Sequence, residues 1–85
     1  NSNTMNVELI TPEKKVFSGE ADRVKMPGSD GVFEVLDRHA PMIAALRKGE
    51  VRITAKGNAT NFQILGGFAE ILNNNVVILA EGVKA

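Results

Sequence analysis

An all-β domain is what this 85-residue sequence predicts, and three observations carry that expectation. Apolar residues alternate at period two along most of the chain. Turn-forming residues separate these runs at short intervals, and no stretch carries a convincing helical stripe. In chain order, Val7 and Leu9 flank Glu8, and Val24 and Met26 alternate with Arg23 and Lys25. Phe33 and Val35 oppose Val32, Glu34 and Leu36, a strand apolar on both faces apart from Glu34. Pro41 to Arg47 is the one segment with room for about two helical turns. Val51, Ile53 and Ala55 then alternate with Arg52, Thr54 and Lys56, and Phe62 and Ile64 with Asn61 and Gln63. Phe68, Glu70 and Leu72 alternate with Ala69 and Ile71. The continuous run Val76-Val77-Ile78-Leu79 predicts a strand covered on both sides.

Turn chemistry falls between these runs at Thr11-Pro12-Glu13, Pro27-Gly28-Ser29-Asp30-Gly31, Lys48-Gly49, Lys56-Gly57-Asn58 and Asn73-Asn74-Asn75. Gly66-Gly67 reads as a bulge, a bend or a tight turn. Many short strands spaced about 8–12 residues apart make a sandwich or a barrel. The length fits one domain over residues 1–85, and area scaling lets such a chain bury about 63% of its unfolded surface, a thin core. The polar opening Asn1-Ser2-Asn3-Thr4 lacks a packing pattern. Residues 1–5 are expected to be disordered or a processing or cloning remnant, with Met5 as the native start.

Composition narrows the function classes. Hydrophobic residues are 44% and charged residues 24%, ordinary for a folded soluble domain. Ten basic residues balance ten acidic ones, so attraction of nucleic acid or an anionic membrane by bulk charge has no support. The absence of Cys removes disulfides, thiolate metal sites and a cysteine nucleophile. No apolar run approaches the ~20 residues of a membrane-spanning helix.

Little in the chain suggests catalysis. His39 is the sole histidine, so a Ser-His-Asp arrangement would have to run through it; neither Ser18 nor Ser29 sits in a nucleophile motif. One His without Cys cannot assemble a transition-metal site, and Asp30 stands outside any calcium-loop pattern. Gly28 to Gly31 lacks phosphate-loop spacing and joins two strands rather than opening a helix. The four aromatics are all Phe (Phe17, Phe33, Phe62, Phe68), and a domain this small is expected to spend them on its core rather than on stacking bases. Lys25-Met26 is similar to half of the A-M-K-M motif of biotin-carrier domains. The turn comes two residues later, however, which leaves Lys25 inside a strand rather than at a hairpin tip. What remains is a pair of conspicuous loops, Gly28 to Gly31 and Asp37 to Pro41, bracketing a short apolar strand. They either terminate strands or project as a docking surface.

The same residues resemble a known family. Thr11-Pro12-Glu13 with Val16-Phe17-Ser18-Gly19-Glu20, then Pro27 to Leu36, then His39-Ala40-Pro41, then Lys48-Gly49-Glu50-Val51-Arg52-Ile53 follow the order of motifs in the epsilon subunit of F-type ATP synthases, called delta in mitochondria. Phe62 to Ile71 and Val76 to Glu81 are similar to its F-x-(V/I)-x-x-G-F-x-E-(V/I) segment and closing strand, so the resemblance spans Val7 to Glu81. It implies a two-sheet β-sandwich of about ten short strands. It also implies a non-catalytic rotor subunit of the central stalk, linking the gamma subunit to the c-ring in a proton- or sodium-driven synthase.

Carried over by position, Ser29, Asp30, Gly31 and Val32 would face the c-ring. Val32 stands where the family often has an acid, with Asp30 and Glu34 nearby to substitute for it. His39, Ala40, Pro41 and Met42 would face gamma, as would Leu65, Gly66 and Gly67. With those residue-level exclusions, no metal, no cofactor and no nucleic-acid partner is expected. Membrane association would be indirect through the complex, on the cytoplasmic face of a bacterial plasma membrane or the equivalent organellar face. Typical members continue into a C-terminal helical hairpin. This chain stops at Ala85, so neither that hairpin, nor its ATP site, nor its inhibition of hydrolysis is expected. The competing expectations are a biotinyl or lipoyl carrier modified on Lys25, and a β-sandwich interaction module with another partner.

Overall fold

The computed structural model describes residues 4–84, and all regular structure among them is strand. Ten strands succeed one another: β1 (Met5–Ile10), β2 (Lys15–Ala21), β3 (Arg23–Gly28), β4 (Gly31–Leu36), β5 (Met42–Leu46), β6 (Gly49–Ala55), β7 (Asn58–Ile64), β8 (Gly67–Leu72), β9 (Asn75–Ala80) and β10 (Val83–Lys84). They hydrogen-bond in the order β10-β7-β6-β3-β5-β8-β9-β1-β2, with β4 on the other edge of β3. This ladder curls into the two layers of a sandwich, the architecture expected from the sequence. One layer is β4-β3-β6-β7-β10 and the other β5-β8-β9-β1-β2.

The two layers share one long bent strand. β5 and β6 run in succession along the same edge of β3, with Leu46 beside Gly28 and then Arg52 beside Lys25. β5 gives its other edge to β8 and β6 gives its other edge to β7, so the chain changes layer at Arg47–Lys48. Such corners need room. Gly49 provides it, because a Cβ there would come within 2.8 Å of the Pro27 Cβ.

The core is the inner face of each strand. Val24, Met26, Val35, Val51, Ile53 and Ile64 from one layer meet Met5, Val7, Leu9, Ile71, Val76 and Ile78 from the other, all at most 2% exposed. Phe17 of β2 and Phe62 of β7 meet edge to face at 6.0 Å and seal the open side between the layers. Two hairpins turn on residues with positive φ, Lys56–Gly57 (52° and 81°) and Asn73–Asn74 (52° and 60°), the pattern that matches strand twist in two-residue loops.

Several local expectations change. Met5, expected among residues that are disordered or a remnant, is ordered: it is 1% exposed and opens β1, because its side chain continues the Val7 and Leu9 row into the core. Residues 1–3, covered by the same expectation, lie outside the described residues. Pro41 to Arg47, the one segment with room for helical turns, holds β5 at Met42–Leu46, which β8 pairs antiparallel along its whole length. The strand Val76 to Leu79 is covered on one side only: Val76 and Ile78 are fully buried, whereas Leu79 is 53% exposed. Phe68 is 58% exposed and does not serve the core, because β8 turns Ala69 and Ile71 inward instead.

Candidate functional site

The residues singled out from the sequence fall into three groups, and the fold brings two of them together along β5. Ser29 and Asp30 form the exposed tip of the β3–β4 hairpin, closed by Gly31 at φ 133°. The tip is pinned to β5, as the Ser29 amide donates to the Ala45 carbonyl at 2.9 Å and the Arg47 amide to the Pro27 carbonyl at 2.9 Å. An open cleft of about 450 Å³ therefore lies between Gly28 to Phe33 and Met42 to Ala45. It joins Ser29, Asp30, Gly31 and Val32 to Met42, with Val32 and Ile43 as its exposed apolar rims.

His39, Ala40 and Pro41 lie in the loop entering β5, at the end where Met42 pairs with Ile71. The His39 Nδ1 lies 2.7 Å from the Ala40 carbonyl oxygen, so the ring bonds to local backbone rather than to Ser18 or Ser29. Arg38 precedes it at φ 66°, a conformation a bulky residue adopts only when its surroundings hold it there.

Leu65, Gly66 and Gly67 occupy the opposite end of the β5–β8 pair, where Gly67 lies across from Leu46. The Gly66-Gly67 pair is a bend, with φ 123° and 148°. It is fastened to the β9–β10 connection by Leu65 donating to the Gly82 carbonyl at 3.0 Å and Glu81 donating to the Gly66 carbonyl at 2.8 Å. The two segments expected to face one partner are thus four residues apart along one ladder, about 13 Å.

Between them lies a feature that no single stretch of sequence reveals. Cross-strand register aligns Ala45, Phe68, Leu79 and Ile10 in one row on the outer face of β5, β8, β9 and β1. Phe68 and Leu79 are more than half exposed, Ile43 in the adjoining row is 74% exposed, and Pro12 joins a shallow hollow over Phe68 and Leu79. The signal for it is a run apolar on both faces in β9 beside an aromatic on the polar phase of β8. Such a signal reads as burial as long as the protein's own chain is taken to supply the cover.

The opposite outer face is charged. Glu34, Lys25, Arg52 and Asn61 lie in register across β4, β3, β6 and β7, with Arg52 bonded to Asn61 at 3.1 Å. Lys25 therefore sits in mid-strand between Glu34 and Arg52, and no swinging lysine stands at the hairpin tip. Among the described residues no group of three or more His, Asp or Glu is placed to hold a metal ion.

Comparison with known proteins agrees with this architecture. Residues 4–85 match the family described as ATP synthase, Delta/Epsilon chain, beta-sandwich domain. Over 78 residues the chain is 44% identical to the ATP synthase epsilon chain of Rhodopseudomonas palustris strain BisB18, covering 92% of this chain and 58% of that one. Over 79 residues it is 42% identical to the ATP synthase epsilon chain of Chlorobium limicola, covering 92% of this chain and 90% of that one. The chain thus spans little over half of the first relative and nearly all of the second. Its fold superposes on a chain of the Euglena gracilis mitochondrial ATP synthase OSCP/F1/c-ring structure with a TM-score of 0.91 at 17% identity, covering 98% of this chain and 54% of that one. A chain of the Tetrahymena thermophila mitochondrial ATP synthase central stalk/c-ring structure gives 0.78 at 19% identity, covering 94% and 65%.

Proposed function

From its membership of the ATP synthase Delta/Epsilon β-sandwich family, to which this chain belongs, we propose that it is a non-catalytic rotor element of the central stalk of an F-type synthase. It joins the gamma subunit to the membrane-embedded c-ring and passes torque between them, so its membrane association is peripheral and runs through the ring. A coupling element must be stiff and must dock tightly. Stiffness is supported by the β5–β6 strand, which belongs to both layers, so one layer cannot slide without breaking the ladder of the other.

The observation that carries the docking half is the exposed row through Phe68 and Leu79. Burying an apolar side chain of this size is worth about 1.5–3 kcal/mol, so a partner covering both gains a substantial share of a stable interface. That row connects the two segments assigned to gamma, His39 to Met42 and Leu65 to Gly67. Ser29, Asp30, Gly31 and Val32, at the hairpin tip, are left for the polar loops of the c-ring. Asp30 supplies negative charge there, while Val32 adds an apolar rim.

Titration calorimetry of the chain into its cognate gamma subunit tests this reading. Stoichiometric binding with Kd below about 1 μM is expected, and Phe68→Ser should weaken it at least tenfold while Asp30→Lys leaves it unchanged. Failure to bind a folded gamma subunit would sink the stalk reading. Loss of binding in Asp30→Lys alone would reverse the assignment of the two surfaces.

A further inference from the structure

We infer that Asn74, in the β8–β9 turn, is a positioning residue that holds the β4–β5 loop in its docking shape; this rests on the reading of His39 to Met42 as a gamma-facing segment. The Asn74 side-chain amide is spent entirely on that loop. Its Nδ2 donates to Asp37 Oδ1 at 2.7 Å, and its Oδ1 accepts the Arg38 backbone amide at 2.8 Å. The main chain of the same residue is anchored from a third direction, because its carbonyl accepts the Asn6 amide at the start of β1 at 2.9 Å. Asn74 therefore ties a loop at residue 38 to the β8-β9-β1 layer of the sandwich, across 36 positions of sequence.

The need for such a tie lies one residue away. Arg38 stands at φ 66°, and an arginine has no local side-chain bond that favours this region as Asn or Asp does. Its guanidinium is almost free in solvent, 3.6 Å from the Asp37 carboxylate, and contributes little to holding the backbone. The amide bond to Asn74 is what selects the left-handed state. Arg38 sets the direction in which the chain leaves β4 and so where His39 and Pro41 stand over the Asn73–Asn74 turn. Asn74 can do this because its own φ of 60° is one asparagine tolerates, which leaves its side chain turned toward the loop.

Replacing Asn74 by glycine removes the amide while preserving the turn, since glycine accepts φ 60° without cost. If the loop then holds its docking shape about a tenth of the time, affinity for gamma falls about tenfold. Exchange of the Arg38 amide with solvent should accelerate by at least a similar factor, and the melting temperature should fall by roughly 5–10 °C, the cost of the same tenfold loss. Adding Arg38→Gly to Asn74→Gly should restore binding to within about threefold of wild type, because glycine at 38 reaches φ 66° more readily than arginine does. Asn74→Gly binding like wild type would overturn the inference and leave the stalk reading intact. So would a double variant that stays weak while Arg38→Gly alone binds normally, or an Arg38→Gly variant as weak as Asn74→Gly. A wild-type chain that does not bind gamma would instead bring down the stalk reading, and the inference with it.

Discussion

Gly67 is the position where the fold tolerates a methyl group least, and replacing it by alanine gives the sharpest test of the packing described above. Its φ is 148°, in the region that favours glycine, so any other residue carries about 1–3 kcal/mol of backbone strain there. A Cβ would also overlap the Leu79 carbonyl oxygen and stand 2.9 Å from the Ala80 Cα and 3.0 Å from the Leu79 carbonyl carbon. These are backbone atoms of β9, so nothing can rotate away; β8 and β9 must part at the Gly67–Ala80 pair. Overpacking of this kind costs a further ~1–3 kcal/mol, and each ladder bond lost adds ~0.5–1.5 kcal/mol.

The expected total is about 4 kcal/mol out of a stability of roughly 4–13 kcal/mol for a domain of this length. Gly31→Ala is the control: φ is 133° and the space around the added methyl is open, so only the strain remains. The difference between the two variants isolates the collision at about 2–4 kcal/mol, or roughly 10–30 °C in melting temperature. Thermal and urea melts followed by circular dichroism read it directly. Melting temperatures for Gly67→Ala and Gly31→Ala within about 5 °C of each other would refute the reasoning, since they would mean that β8 and β9 do not approach as closely at Gly67 as described.

The same contacts set two further outcomes. Ile78→Ala, fully buried, should cost about 2–5 kcal/mol in a urea melt, whereas Phe68→Ser should stay within about 1 kcal/mol of wild type; the opposite ranking would mean that β8 and β9 face the other way. Asp22→Ala should lose about 1–2 kcal/mol, because Asp22 Oδ2 accepts the Lys56 amide at 2.8 Å and supports a left-handed lysine; Asp22→Asn, with a side-chain oxygen still able to accept, should recover most of that, and equal loss in both would assign the effect to charge instead.

The fold was legible where one residue faces the core and the next faces water. β3, β6 and the inner phase of β8 declare themselves through Val24 and Met26, Val51 and Ile53, and Ala69 and Ile71, because burial on one side is a local property of a strand. β5 was not legible. Met-Ile-Ala-Ala-Leu has no polar phase, and what makes it strand is β8, more than twenty residues away. β2 hid for the opposite reason: Ser18, Gly19 and Glu20 lie exposed along an edge that only β1 supports, so no alternation marks it. For the candidate site, the loops were legible as turn chemistry, whereas their relation to one another was not. The row Ala45, Phe68, Leu79, Ile10 exists only once register is fixed, since its members come from four strands.

β1 lies between β2 and β9, pairing in parallel with a strand whose residues come some seventy positions later: Val7 beside Val76, Leu9 beside Ile78. As the chain leaves the ribosome, β1 can close one hairpin with β2 but has to wait for β9 before its other edge is satisfied. The layer that holds β1 therefore cannot finish before β9 is made, and closing so long a loop carries its entropy cost before the contacts repay it. Completion of that layer should be a late event, slow on the millisecond-to-second scale of β-rich topologies. The consequence in the cell is a window in which Met5 to Ile10 offers an unpaired, half-apolar edge to any neighbouring strand. Only the arrival of β9 closes it.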